Sequence, residues 1–398
     1  MNNLSNRLNN LSESATLAMA RMSRELKNKG INIISLSLGE PDFNTPKFIK
    51  EAAIDAIKNN YSHYTPVSGL SELKNAITLK FKRDNNLTYS ANQIIASTGA
   101  KQSIANVCLS ILNPGDEVLL PCPYWVSYEE IIKLSEATSV KIPSTIENNF
   151  KVTAKQIKKH ISNKTKMLIF SSPCNPSGTV YSEKELREIA KVLENYPKII
   201  IVSDEIYEHI NFRGNHFSFG SISSMKERTV TVNGVSKGFA MTGWRVGYIG
   251  APKWIADACN KIQGQVTSAT CAIAQKATEK ALLENPKVVT QKMNETFLKR
   301  RDIIVDLLEK IKGIKCNKPE GAFYVFPDVS YYFGKKFNNE TINNTTELCL
   351  YLLNQAHVAC VAGDAFGNSE CIRISYATSE EKIIEAMKRI KKYLELLS

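Results

Sequence analysis

Apolar and polar positions follow two rhythms along this chain. Short apolar runs recur at residues 93–97, 117–120, 166–170, 199–202 and 230–232, each followed by small or polar residues. Most of them then lead into stretches with a helical period, among them 100–112 and 182–195. The second of these opens with Ser182 and Glu185, the pattern of a capping box. Apolar runs this short, separated by helices, predict buried, mainly parallel strands sandwiched by helices, an α/β fold. Earlier, helices are expected over 46–58 and, after a loop at 61–70, to about Lys82.

The two ends of the chain read differently. Residues 1–30 read as a helix with Leu17, Met19, Met22 and Leu26 on its apolar side, followed by a β-rich run at 31–38. A long helix at 286–311 leads to a smaller α+β part. That part has the apolar segment GAFYVF at 321–326, an Asn-rich loop at 338–346 and a helix to Ala356. Strands at 358–361 and 371–377 follow, then a closing helix from Glu380 capped by Thr378 with Glu381. The expected division is 45–285 as the large domain and 286–398 as the small one, with 1–44 joining the small one. The insertion at 331–346 has no functional reading.

Composition narrows the function classes. A hydrophobic share of 43% and a charged share of 23% suit a soluble globular protein, and no apolar run is long enough to span a membrane. No secretory signal pattern opens the chain, and the nine cysteines form no CxxC pair, so free thiols in a reducing cytoplasm are expected, and no metal site. The net charge of +12 is scattered through helices such as 155–159 and 388–392. Scattered charge points to solubility and attraction of small anions rather than to nucleic-acid binding.

Candidate chemistry collects just after the predicted strands, where ligands of open α/β sheets bind. The stretch TVNGVSKGFAMTGWR offers the Ser236 hydroxyl, the Lys237 amine and the Arg245 guanidinium. These suit an aldehyde cofactor held on the amine, its phosphate gripped by the hydroxyl and guanidinium. Gly99, Ala100 and Lys101 open a helix and add an anion site. Asp204 can face a cationic ring nitrogen, Tyr207 and Asn175 a ring oxygen, and Trp125 a ring face. Arg373, in an otherwise apolar strand, needs a partner such as a substrate carboxylate, and the turn at Gly39 lets backbone approach a ligand. Taken singly, each has a plainer role: a solvated cation, a buried salt bridge, a packed aromatic, an ordinary turn.

The segments SLGEPDF, STGAKQ, PCPYWVSY, SSPCNPSGTVY, VSDEIYEHI, NGVSKGFAMTGWRVGY and RISYATS together resemble the class I aminotransferases of the fold type I pyridoxal-phosphate family. Among these, the pattern is most similar to the bacterial-type aspartate aminotransferases. The resemblance implies pyridoxal 5′-phosphate, a Schiff base on Lys237, ping-pong chemistry and a homodimer in which Tyr64 reaches the phosphate of the other subunit. It also implies that Gly39, Asn175 and Arg373 hold the substrate α-carboxylate, with Trp125 stacked on the ring. Segment 264–275 lacks the arginine that binds the distal carboxylate in one subgroup, and Lys101 is expected to do that work. L-Aspartate and 2-oxoglutarate are the expected pair. Ser12 stands where some prephenate-accepting members carry lysine, which argues mildly against prephenate, and Cys174 and Ser177 depart from the usual Asn and Thr. The alternatives are an aminotransferase for aromatic amino acids, kynurenine or prephenate, a carbon–sulfur lyase on the same scaffold, or a non-catalytic ligand sensor.

Overall fold

The computed structural model describes residues 4–398. Its centre is a sheet of seven strands: β1 (Ile94–Ser97), β2 (Glu117–Pro121), β3 (Thr138–Ile142), β4 (Thr165–Ser171), β5 (Ile200–Asp204), β6 (Thr229–Gly234) and β7 (Gly247–Gly250). Their spatial order is β1-β7-β6-β5-β4-β2-β3. Neighbours from β6 through β3 are parallel, and only β7 runs antiparallel, against both β1 and β6. All five apolar runs therefore form strands.

Period-two alternation divides the sheet's side chains between two cores. On β2, Val118 and Leu120 pack with Ile104 and Val107 of helix Ala100–Ile111, whereas Leu119 packs with Leu186 and Ile189 of helix Glu183–Leu193. Every residue of β5 and β6 is buried, as helices on both faces require. The expected capping box is present: the Ser182 side chain accepts from the Glu185 N–H, and the Glu185 side chain accepts from the Ser182 N–H.

Two strands of this sheet escaped the sequence reading. β3 lies at the sheet edge with only Ile142 buried, so it shows no apolar run. β7 is Gly-Tyr-Ile-Gly, too poor in side chains to read as one.

The chain ends form a second body around helix Pro286–Glu309. Ile34–Ser35 pairs parallel with Val358–Ala359, and the Ser375 N–H donates to the Leu36 carbonyl at 2.8 Å. Ile372–Ser375 sits between Val361–Ala362 and Tyr324–Val325 in an antiparallel sheet. Phe297, Ile304, Leu352 and Ile383 fill the core beneath.

Several boundaries at the ends need correction. The helix expected over 1–30 is two helices, Asn6–Asn9 and Ala15–Asn28, and its first three residues lie outside the described part. Its break is tethered, because the Ser12 N–H donates to Glu130 at 2.8 Å. The last helix, Glu380–Leu394, is capped by Ser379, whose hydroxyl accepts from the Lys382 N–H, rather than by Thr378. In the Asn-rich stretch, Lys336–Phe337 pairs with Glu340–Thr341 in a hairpin, and Asn344 caps the next helix. All nine cysteines are free, and among the described residues no helix is long and apolar enough to cross a membrane.

Candidate active site

β5 ends at Asp204, and a turn carries the chain through Tyr207. β6 ends at Gly234 and delivers Ser236 and Lys237 beside it. Because these strands are parallel neighbours, both loops leave the same edge of the sheet. They open into a cavity of about 230 Å³. Gly39, Ala100, Lys101, Trp125, Asn175, Asp204, Tyr207, Ser236, Lys237, Arg245 and Arg373 all line it.

At the floor, Asp204 is 4% exposed; the Tyr128 hydroxyl donates to its Oδ2 at 2.6 Å and the Ile206 N–H to its Oδ1 at 3.2 Å. Burial pushes its carboxyl up to about 6 against the pull of these bonds, so it remains ionised at neutral pH. Lys237 Nζ donates to the Gly39 carbonyl at 2.5 Å. Lost hydration, with Arg373 and Arg245 nearby, brings its ammonium down to about 8, which leaves a usable share of free amine at neutral pH.

One end of the cavity is made for an anion. Gly99, at φ +87°, precedes helix Ala100–Ile111, whose first N–H groups have no acceptor within the helix. The Arg245 guanidinium lies so close over Gly99 that a β-carbon there would collide with its Nη2. Arg245 itself is left-handed at φ +56°, with its Nη1 tied to the Thr242 carbonyl at 2.9 Å. Ser236 lines the same cavity. Gly99 thus supports the site from behind rather than lining it.

The opposite wall comes from the chain ends. Arg373 is 2% exposed and donates to the Ser37 carbonyl at 2.5 Å, to Asn175 Oδ1 at 3.0 Å and to Thr16 at 3.4 Å. Its buried Nε has no partner among the described residues. Since the Asn175 oxygen is taken by Arg373, its amide NH₂ is the group it can present to a ligand. Lys101, at the mouth, holds its ammonium 5.1 Å from the Trp125 ring centre, and lost hydration together with Arg245 lowers its proton affinity.

Tyr64 is the one predicted residue set apart. It is 99% exposed, in a loop away from the cavity of its own chain. Sequence reasoning in turn missed Tyr128, Thr16, Ser37 and Tyr324, whose hydroxyl meets that of Tyr207 at 2.8 Å. Tyr128 had a signal, lying one helical turn beyond Trp125; Tyr324 had none beyond its place in a strand.

The cavity suits pyridoxal 5′-phosphate. An anion cradle, where Arg245 packs on Gly99 too closely to admit a β-carbon, lies at one end, a buried carboxylate sits on the floor, and a lysine of lowered proton affinity faces both. Comparisons with known proteins agree. The family described as aminotransferase class I and II matches residues 31–390. A bifunctional aspartate aminotransferase and glutamate/aspartate-prephenate aminotransferase of Petunia hybrida is 46% identical, covering 98% of this chain and 82% of its own. A probable aspartate/prephenate aminotransferase of Rickettsia typhi is 47% identical, covering 98% of each chain. The crystal structure of an aspartate aminotransferase from Rhizobium meliloti superposes with a TM-score of 0.95 at 40% identity over 99% of each chain. The fold is that of those enzymes, and this chain belongs to the class I and II aminotransferases.

Proposed function

We propose that the protein moves the amino group of L-aspartate to 2-oxoglutarate, giving oxaloacetate and L-glutamate, with pyridoxal 5′-phosphate as its cofactor. The observation that carries this reading is the meeting of Lys237, Asp204 and Arg373 around one cavity. When bound, the cofactor supplies an electrophilic aldehyde and an electron-withdrawing ring.

The chain's own groups do the rest. Arg245, Ser236 and the helix start at Ala100 hold the phosphate. Asp204, ionised at neutral pH, keeps a ring nitrogen protonated, because an opposite charge favours the charged form. Tyr207 and the Asn175 amide donate to the ring oxygen. Arg373, with one buried N–H unpartnered, receives the α-carboxylate of the substrate, beside the Gly39 backbone. Lys237 Nζ, released from the Gly39 carbonyl, takes and returns the substrate's α-proton. Lys101 at the mouth attracts the distal carboxylate, and Trp125 flanks the ring.

Relatives named for aspartate and prephenate give prephenate a place as a second amino acceptor. Ser12, lacking an ammonium and sitting in the tethered break that precedes cavity-lining Ser14, weighs against it. The exposure of Tyr64 supports a homodimer, since it leaves the side chain accessible to a second copy's site. With Tyr64 at an interface, each site would be shared between subunits. We place the protein in the cytoplasm.

A panel of amino donors and 2-oxo acids tests the proposal, with product oxaloacetate followed directly. Aspartate with 2-oxoglutarate should be the fastest pair, and Lys237→Ala should reduce its rate by at least about 10³-fold. A wild-type protein that binds the cofactor yet ignores aspartate would sink the substrate assignment.

A further inference from the structure

The mechanism above uses Tyr207 but not the second phenol in contact with it. Tyr324 belongs to the short strand Tyr324–Val325 of the chain-end body, is 1% exposed, and lines the cavity. Its hydroxyl meets the Tyr207 hydroxyl at 2.8 Å, the one hydrogen bond its side chain makes among the described residues. On its other side the oxygen abuts Gly39, where a β-carbon would overlap it. The Arg373 guanidinium lies 4.7 Å from the centre of its ring.

Two hydroxyls sharing one hydrogen bond have one proton left to direct elsewhere. Walled in by Gly39, the Tyr324 hydroxyl has no second acceptor among the described residues, whereas Tyr207 faces the floor groups Asp204 and Lys237. A cation over an aromatic ring also makes its phenol the better donor, and Arg373 sits over the ring of Tyr324. We infer that Tyr324 is a positioning residue that donates its proton to Tyr207 and thereby commits the Tyr207 proton to the cavity, toward the oxygen of the bound ring. Chains of hydrogen bonds polarise one another, so the donation also strengthens Tyr207 as a donor. Burial raises both phenols above their ordinary range, so both remain protonated, as donation requires.

The inference rests on the cavity holding pyridoxal 5′-phosphate, with Tyr207 at its ring oxygen. The charged groups that face the pair are Arg373 across the Tyr324 ring, Asp204 on the floor and Lys237, whose Nζ is 5.9 Å from the Tyr207 ring centre. A donor to the ring oxygen favours its charged form, so losing that donor moves the pH midpoint of the bound cofactor's absorbance upward.

The experiment loads wild-type protein, Tyr207→Phe, Tyr324→Phe and the double variant with pyridoxal 5′-phosphate. It measures the absorbance midpoint against pH and the cofactor affinity by quenching of tryptophan fluorescence. Tyr207→Phe should raise the midpoint, Tyr324→Phe should raise it by about half a pH unit, and the double variant should match Tyr207→Phe alone. Affinity should fall in the same order. The inference is overturned if Tyr324→Phe leaves the midpoint in place, or if it shifts the midpoint equally when residue 207 is Phe. Failure of wild-type protein to bind the cofactor would overturn instead the functional reading beneath it.

Discussion

The cavity wall that carries Asp204 and Tyr207 rests on a buried ionic cluster, whereas the wall that carries Arg373 rests on backbone carbonyls and aromatic faces. In the turn after β5, positions 204 and 207 face the cavity, while Glu205 and Glu208 point into the protein behind it. Lys80 pairs with Glu208 and Asn85, Asn85 donates to Glu208 at 2.6 Å, and His216 meets Glu205 at 2.9 Å. Across the cavity, Arg373 leans on the Ser37 carbonyl and on the rings of Tyr324 and Phe366, with no carboxylate partner among the described residues. A buried guanidinium without a countercharge is ready for an anionic guest; a carboxylate turn with its charges matched from behind is built to stay put.

The contrast can be broken experimentally. Lys80→Met takes the ammonium from buried Glu208, leaving it Asn85 and His209, and should cost about 3–5 kcal/mol of stability by urea unfolding. Adding Glu208→Gln should recover most of that loss, since a neutral replacement of a buried pair is often tolerated. Arg373→Leu should do the reverse: little change in unfolding, but a fall of about 10- to 100-fold in kcat/KM for aspartate. If Arg373→Leu unfolds the protein as badly as Lys80→Met, the two walls are not different in kind. Lys101→Ala, at the solvent-facing mouth, should lower the preference for aspartate over alanine by about 10-fold, seen in the ratio of their kcat/KM values.

The smallest expected effect is in acid. Burial pushes the Glu208 carboxyl up, but Lys80, His209 and His216 outweigh it and hold the group at about 2, against 4.5 when unfolded. A carboxyl whose folded value is depressed contributes stability above about 4.5 and loses it as pH falls toward 2. The Lys80→Met, Glu208→Gln pair should therefore lose less stability than wild type over that window, measured by unfolding at stepped pH. An unchanged slope would remove Glu208 from the account.

What was legible in the sequence follows the same division. Lys237, Asp204 and Asn175 could be placed because each follows an apolar run, and strand ends in a parallel sheet converge by construction. Arg373 stood out by its apolar neighbours. Tyr324 did not, because its hydroxyl contacts depend on how Tyr324–Val325 docks against a turn far away in sequence. The buried cluster was hidden for a related reason: Lys80 lies on what reads as the charged side of a helix, and its partners come from the turn after β5. β3 and β7 were missed through weak local pattern, one an exposed edge and the other flanked by glycines.

The stitching of residues 34–36 to 358–359 and 375 has a consequence for the order in which the molecule matures. By the time synthesis passes Arg245, all the groups assigned to the phosphate and the ring within this subunit have emerged. On the proposed assignments, the pocket for the amino acid must wait for Arg373, well downstream of Arg245, while Ser37 precedes them all. On those assignments, a nascent chain folding in this order would be equipped to hold the vitamin-derived cofactor before it could recognise a substrate.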